Sequence, residues 1–152
     1  MTTPAIVSTK YTGTSADYRL CKAQREGQET MEYAVANVPI STANGTIVGL
    51  VPFRAGARFN YNSVIRNNAF GTGATASLGY VYDDNVNNVN NQTAFTPAVS
   101  VATAGALVGG ANVDAGMGWK ATGDGWIVAT MAGTVPANAG IFTAQITMTY
   151  DQ

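Results

Sequence analysis

Side chains alternate between apolar and polar along most of the chain, and this period of two constrains the fold more than any other feature. The final run shows it best: from Phe142 to Tyr150, apolar residues at every second position are separated by threonine or glutamine. Successive side chains of a β-strand point to opposite faces, so this run predicts a strand with one buried and one exposed face. Similar runs recur from residue 37 onward with turn signals between them, which predicts a meander of antiparallel strands.

Three earlier segments carry the same signal. Residues 47–51 form a short apolar run, and Pro52 closes it because proline cannot donate to a strand ladder and marks strand ends or edges. Residues 57–66 alternate as one continuous strand. Residues 74–82 alternate too, with small Thr, Ser and Gly residues on one face, which either admit another backbone closely or mark a bulge.

A hairpin is predicted in the C-terminal third. The turn sequence Gly123-Asp124-Gly125 separates residues 119–122 from residues 126–129, and both flanks are rich in apolar residues. Pairing across this turn places Trp119 and Trp126 on one face of the hairpin.

Two segments between the predicted strands have other properties. The Asn-rich stretch 83–93 is too polar and turn-prone for regular structure, which predicts a long exposed loop. Residues 97–110 are rich in Ala, Val and Gly and fit either a helix or a strand.

These strands predict an all-β protein, an antiparallel β-sandwich with jelly-roll-like topology. The chain has 152 residues, which suits one domain, and we assign the sandwich to residues 31–152. Its predicted core consists of the inward-facing residues Phe59, Tyr61, Ile65, Leu78, Tyr80, Trp126, Phe142, Ile146 and Met148.

The first 30 residues lack this pattern and are assigned to an N-terminal arm and a charged segment. Residues 2–14 are rich in Thr and Ser, which predicts either an arm that orders only against a partner or a frayed terminus. Residues 15–26 fit a short helix with Ser15 as its N-cap, or alternatively a strand.

Charged residues make up only 11% of the chain, where about 25% is usual. The surface is therefore built from uncharged polar residues, which favours association between copies because few ions must be desolvated. The formal net charge is −1 without a cluster of Lys and Arg, so binding to nucleic acid is not expected. No apolar run approaches the roughly 18 residues of a membrane span, so no membrane partner is expected.

The residue types needed for common catalytic and metal sites are missing. The chain has no histidine and one cysteine, Cys21, which excludes catalytic triads and the usual zinc sites. Asp83, Asn85 and Asn87 have the spacing of calcium ligands, but the glycine and closing glutamate of such a loop are absent. Tyrosine and tryptophan residues at strand spacing fit a core better than a sugar-binding platform. We therefore expect no enzyme, no cofactor and no metal.

Three stretches resemble the small virion structural proteins of tailed bacteriophages, of the head decoration or cement type. These stretches are residues 47–53, residues 71–82 with the Asp- and Asn-rich loop that follows, and residues 140–150. The resemblance implies a non-enzymatic protein on the outer surface of the capsid, synthesised in the bacterial cytoplasm. It also implies a homotrimer or homodimer, of which the trimer is favoured, that bridges subunits of the major capsid protein.

Proteins of this type often hold the shell through an N-terminal arm. The matching residues here are apolar anchors within residues 2–18, namely Ile6, Val7, Tyr11 and Tyr18.

The predicted strand 57–66 adds two further candidate capsid contacts, Arg58 and Arg66, which share its polar face. They either meet an acidic partner or are simply solvated. A competing hypothesis is a tail or fibre component with a carbohydrate-binding face, which requires Trp119 and Trp126 to be exposed.

Overall fold

The computed structural model describes residues 4–8, 29–84, 86–108 and 118–150, which form ten β-strands. Those residues include no helix, and hence none that could cross a membrane. In chain order the strands are β1 (Ile6–Val7), β2 (Glu29–Val38), β3 (Ile47–Phe53), β4 (Ala57–Phe59), β5 (Val64–Asn67), β6 (Ala74–Tyr82), β7 (Asn91–Ser100), β8 (Gly105–Val108), β9 (Gly125–Gly133) and β10 (Gly140–Tyr150).

The strands form two sheets. The first has the order β1-β3-β9-β6-β7 and the second the order β2-β10-β5-β8, with β4 also paired to β10. Every pair is antiparallel except β1 with β3, which run parallel. The predicted all-β antiparallel sandwich is confirmed, whereas its jelly-roll topology stays a prediction. The alternative of a short helix at residues 15–26 lies outside the described residues.

One hydrophobic core lies between the two sheets. The rings of Phe59 and Phe95 stack across it with centroids 4.0 Å apart, and Phe70 packs on Phe142 at 5.1 Å. Seven of the nine predicted core residues are buried, and Tyr80 is half-buried against the core. The prediction for Tyr61 is wrong, because this residue is half-buried in a turn between β4 and β5.

The predicted continuous strand 57–66 is in fact two strands. β4 pairs with Met148–Tyr150 of β10, and β5 pairs with Phe142–Gln145 of the same strand. Between them the amide of Ser63 donates to the carbonyl of Asn60, closing a turn at a distance of 3.0 Å. Asparagine favours turns, so the alternation of apolar residues concealed a break in the strand.

The predicted hairpin around Gly123-Asp124-Gly125 is wrong. Strand β9 pairs with β3 on one side and β6 on the other, so no edge is left for residues 119–122. Ala121 instead exchanges backbone hydrogen bonds with Gly56 and Ala57, each 2.8 Å long. Gly125 serves close packing, because a Cβ there would lie 2.2 Å from the carbonyl oxygen of Val81.

The two segments of undecided or irregular structure are now assigned. The polar loop ends at Asn90, because β7 begins at Asn91, and residues 97–108 belong to β7, a turn and β8. β7 is an edge strand that pairs with β6, and the register of this pairing shifts on both sides of Leu78 in β6. A Cβ on Gly79 would lie 2.1 Å from the carbonyl oxygen of Asn91. The backbone of β7 therefore approaches Gly79 of β6 closely, and the pairing of the two strands is irregular at the same place.

Candidate interaction surfaces

Residues 4–8 lie on the protein's own first sheet. Ile6 and Val7 pair in parallel with Val48 and Gly49 of β3, and both side chains are half-buried against the core. The amide of Ala5 donates to the carbonyl of Ile47 at 3.0 Å. Two of the four predicted arm anchors are therefore engaged with the body of the same chain.

Pro4 and Ser8 fasten this segment at its two ends. Pro4 is buried against Gly49, whose missing side chain leaves the space that the proline ring occupies. Ser8 is fully buried, and its hydroxyl donates to the carbonyl of Leu50 at 2.9 Å. The other two predicted anchors, Tyr11 and Tyr18, lie outside the described residues.

Arg58 and Arg66 lie on one face of the second sheet, although on separate strands. Arg58 is opposite Thr149 of β10 and Arg66 is opposite Thr143, six residues earlier on the same strand. Because side chains alternate along β10, both arginines occupy its outward side. Arg66 is exposed and Arg58 is half-buried.

The same outer face carries two exposed apolar residues that the sequence reasoning missed. Met31 is 63% exposed and Tyr33 is 60% exposed, both on β2. Tyr33 and Arg66 help to line a shallow concavity with Val64, Thr143 and Gln145. The alternation of side chains along β2 is visible in the sequence, but burial runs opposite to polarity there. Met31 and Tyr33 point outward, whereas Glu32 is buried.

An aromatic cluster closes one end of the core. Trp119 packs on Phe53, Tyr80 and Phe95, with ring centroids 4.8 to 5.4 Å apart. Burial raises the pKa of Tyr80 above its usual value of 10.0, a charge on Tyr82 would raise it further, and the Trp119 indole offsets part of the rise. Trp119 is half-buried and Trp126 only 3% exposed, so the exposed indole pair of a carbohydrate-binding face is missing.

The Asn-rich loop is organised by its own side chains. Asp84 accepts hydrogen bonds from the side chain of Asn87 at 2.8 Å and the amide of Val86 at 3.0 Å. These bonds, the one from Asn87 first, lower the pKa of Asp84 from its usual 3.8. Within the four described ranges, no group of three His, Cys, Asp or Glu could hold a metal ion. Asn85 lies outside those ranges.

The loops at the two ends of the sandwich differ in charge. Among the described residues, one end is formed by the loops 39–46, 68–73, 101–104 and 134–139, none of which contains Asp, Glu, Lys or Arg. We call it the uncharged end. The opposite end, which we call the charged end, consists of residues 54–56, 83–90 and 118–124 and carries Arg54, Asp83, Asp84, Lys120 and Asp124.

The comparisons with known proteins bear on the fold. No protein-family model and no curated protein matches the sequence. A chain in the structure of the capsid of Ralstonia phage GP4 superposes with a TM-score of 0.63 at 17% identity, covering 86% of this chain and 90% of that one. The fold is shared with phage capsid chains. A chain of the cyanophage Pam1 capsid asymmetric unit gives a TM-score of 0.57 at 15% identity, covering 91% and 98%.

Proposed function

We propose that this protein is a non-enzymatic structural component of a bacteriophage virion, which decorates the outer surface of the capsid. In this role it bridges subunits of the major capsid protein and stabilises the shell. The observation that carries the proposal is the superposition of nearly the whole sandwich on chains from two phage capsids.

The matched capsid chains are similar in size to this protein. Each superposition covers similar shares of both partners, so the two capsid chains are close to this protein in length. A chain of 152 residues forms one core with a limited surface, which suits a subunit that attaches to a shell.

The surface chemistry supports attachment through protein contacts. Charged residues are sparse, so two surfaces can meet while few ions lose their hydration. We propose that the protein acts as a homotrimer, since linked copies bind a symmetric shell through several weak contacts at once. Arg58, Arg66, Tyr11 and Tyr18 remain proposed capsid contacts, whereas Ile6 and Val7 are already packed on the body.

The proposal is tested on particles of the phage that encodes the chain. We expect the protein in purified virions at a fixed copy number, and we expect particles assembled without its gene to release DNA at a lower temperature. Adding the purified protein to those particles should restore the release temperature. Absence of the protein from purified virions contradicts the proposal, and so does an unchanged release temperature after deletion of the gene.

A further inference from the structure

The four loops of the uncharged end form one connected surface. The amide of Ser41 donates to the carbonyl of Pro136 at 3.1 Å, which joins the first loop to the last. The amide of Ala137 donates to the carbonyl of Phe70 at 2.9 Å, which joins the last loop to the second. The amide of Gly71 donates to the carbonyl of Ala102 at 3.3 Å, which joins the second loop to the third. Because every loop is bonded to a neighbour, this end requires little ordering when it binds.

Two apolar side chains project from this surface. Ile40 is 59% exposed and Val135 is 44% exposed, and the bond between Ser41 and Pro136 joins the loops that carry them. Ser41 has a φ of 61°, the one positive value for a non-glycine residue in the described part of the chain. Residues other than glycine rarely adopt this strained conformation, and here it lies beside an apolar side chain that points into solvent.

We propose that the uncharged end is the surface that seats on the capsid shell, with Ile40 and Val135 as its apolar contacts. This inference rests on the proposed function and adds the docking surface. The partner is an uncharged, apolar-lined patch on the shell protein. A charged group on the partner would lose its hydration against this end without gaining a counter-ion, which opposes binding.

The distribution of charge favours the shell over a second copy as the occupant. A protein bound to a shell needs one end that tolerates loss of water and another that stays hydrated, and the two ends of this sandwich differ in that way. End-to-end pairing of two copies would cover the uncharged end of both. Such a pair would leave only the charged ends and the sides to meet a shell.

The test introduces one positive charge at a time into exposed positions at either end. Ile40→Lys and Val135→Lys place the charge on the uncharged end. Val86→Lys and Val89→Lys are the matched controls, since these valines are 88% and 83% exposed in the loop of the charged end. Thermal unfolding is measured for all four variants to verify that they fold.

Binding is measured by co-sedimentation with shells of the encoding phage that were assembled without this chain. We expect each variant of the uncharged end to bind at least about tenfold more weakly than the wild type, because the lysine must be buried. The controls should bind within about twofold of the wild type, since an exposed lysine keeps its hydration.

Three outcomes overturn the inference. The first is unchanged binding of both variants of the uncharged end while the wild type binds, which leaves the proposed function intact. The second is a smaller oligomer for Ile40→Lys in sedimentation velocity, because the end then joins copies of the chain. The third is a wild-type protein that does not bind the shells at all, which contradicts the proposed function as well.

Discussion

Pro4 occupies the space that a side chain on Gly49 would fill: a Cβ at position 49 would lie 2.8 Å from Pro4 Cγ and 3.1 Å from Trp126 Cε3. The absence of a side chain on one residue of β3 therefore allows residues 4–8 to lie on the first sheet. This contact adds to the backbone hydrogen bonds that join the two-residue strand β1 to β3.

Replacing Gly49 with alanine should loosen β1. The amides of Ala5 and Ser8 donate to the carbonyls of Ile47 and Gly49. The new Cβ forces Pro4 or Trp126 to move, so we expect both amides to exchange with solvent at least about tenfold faster, measured by NMR. Gly105→Ala is the control, because a Cβ at that position meets its nearest neighbour at 3.6 Å, an ordinary contact. Equal protection of both amides in the two variants would show that Gly49 is dispensable for docking.

Deleting residues 2–14 should leave a folded but less stable sandwich. The deletion removes two half-buried side chains, the Pro4 contact and the Ser8 hydrogen bond. We expect a loss of about 2 to 4 kcal/mol in the free energy of unfolding, measured in urea. Deletion of residues 2 and 3 alone leaves β1 in place and serves as the control. A stability equal to that of the control would mean that β1 contributes nothing to the fold.

Strands with a long run of alternating burial could be predicted from the sequence, whereas elements that depend on distant contacts could not. Strand β10 could be predicted because one face is buried along its whole length, and the alternation of burial is interrupted only at Thr147, which is buried as well. The hairpin prediction was wrong because the Gly-Asp-Gly sequence indicates only a local preference for a turn. The strands that pair with β9 come from distant parts of the chain. Strand β1 has two residues, too few for any periodicity, and the glycine that receives it lies more than forty positions away.

The interaction surfaces were harder to predict than the core. Apolar side chains on β2 look like core residues in the sequence, and only the structure shows that Met31 and Tyr33 face outward. The uncharged end could be suspected from four loops without ionisable residues. These loops meet at one end of the sandwich because of the strand order, and that order could not be predicted from the local sequence pattern.

Phe95→Ala should be among the most destabilising substitutions in the core. The ring stacks on Phe59 of the other sheet and contacts Tyr80 and Trp119, so truncation leaves a cavity between the sheets. We expect a loss of about 3 to 5 kcal/mol in the free energy of unfolding. Ala98→Ser, at an exposed position of the same strand, should change it by less than about 0.5 kcal/mol. Similar urea midpoints for the two variants would disprove this role of Phe95.

Alkaline pH should destabilise the protein partly through Tyr80. Because burial raises the pKa of Tyr80 above 10.0 in the folded state, the neutral phenol favours folding. This contribution is fully present below pH 10.0 and is lost as the pH rises through the higher folded pKa. Tyr80→Phe has no phenol to ionise, so its stability should fall less than that of the wild type over this range. Parallel stability curves for the two proteins would exclude Tyr80 as a cause.

Self-association should depend on the outer face of the second sheet. Met31 and Tyr33 expose large apolar surfaces there, and Arg66 lies beside Tyr33 in the same concavity. Tyrosine, methionine and arginine are the residue types enriched in protein interfaces, and the surrounding Thr143 and Gln145 carry no charge. We therefore expect the double variant Met31→Ser, Tyr33→Ser to remain monomeric at concentrations at which the wild type forms the proposed trimer, measured by sedimentation velocity. The control is Val86→Ser, Val89→Ser, which removes exposed apolar surface from the charged end and should leave the oligomer unchanged. If the double variant keeps the size of the wild type, the contact between copies lies elsewhere on the protein.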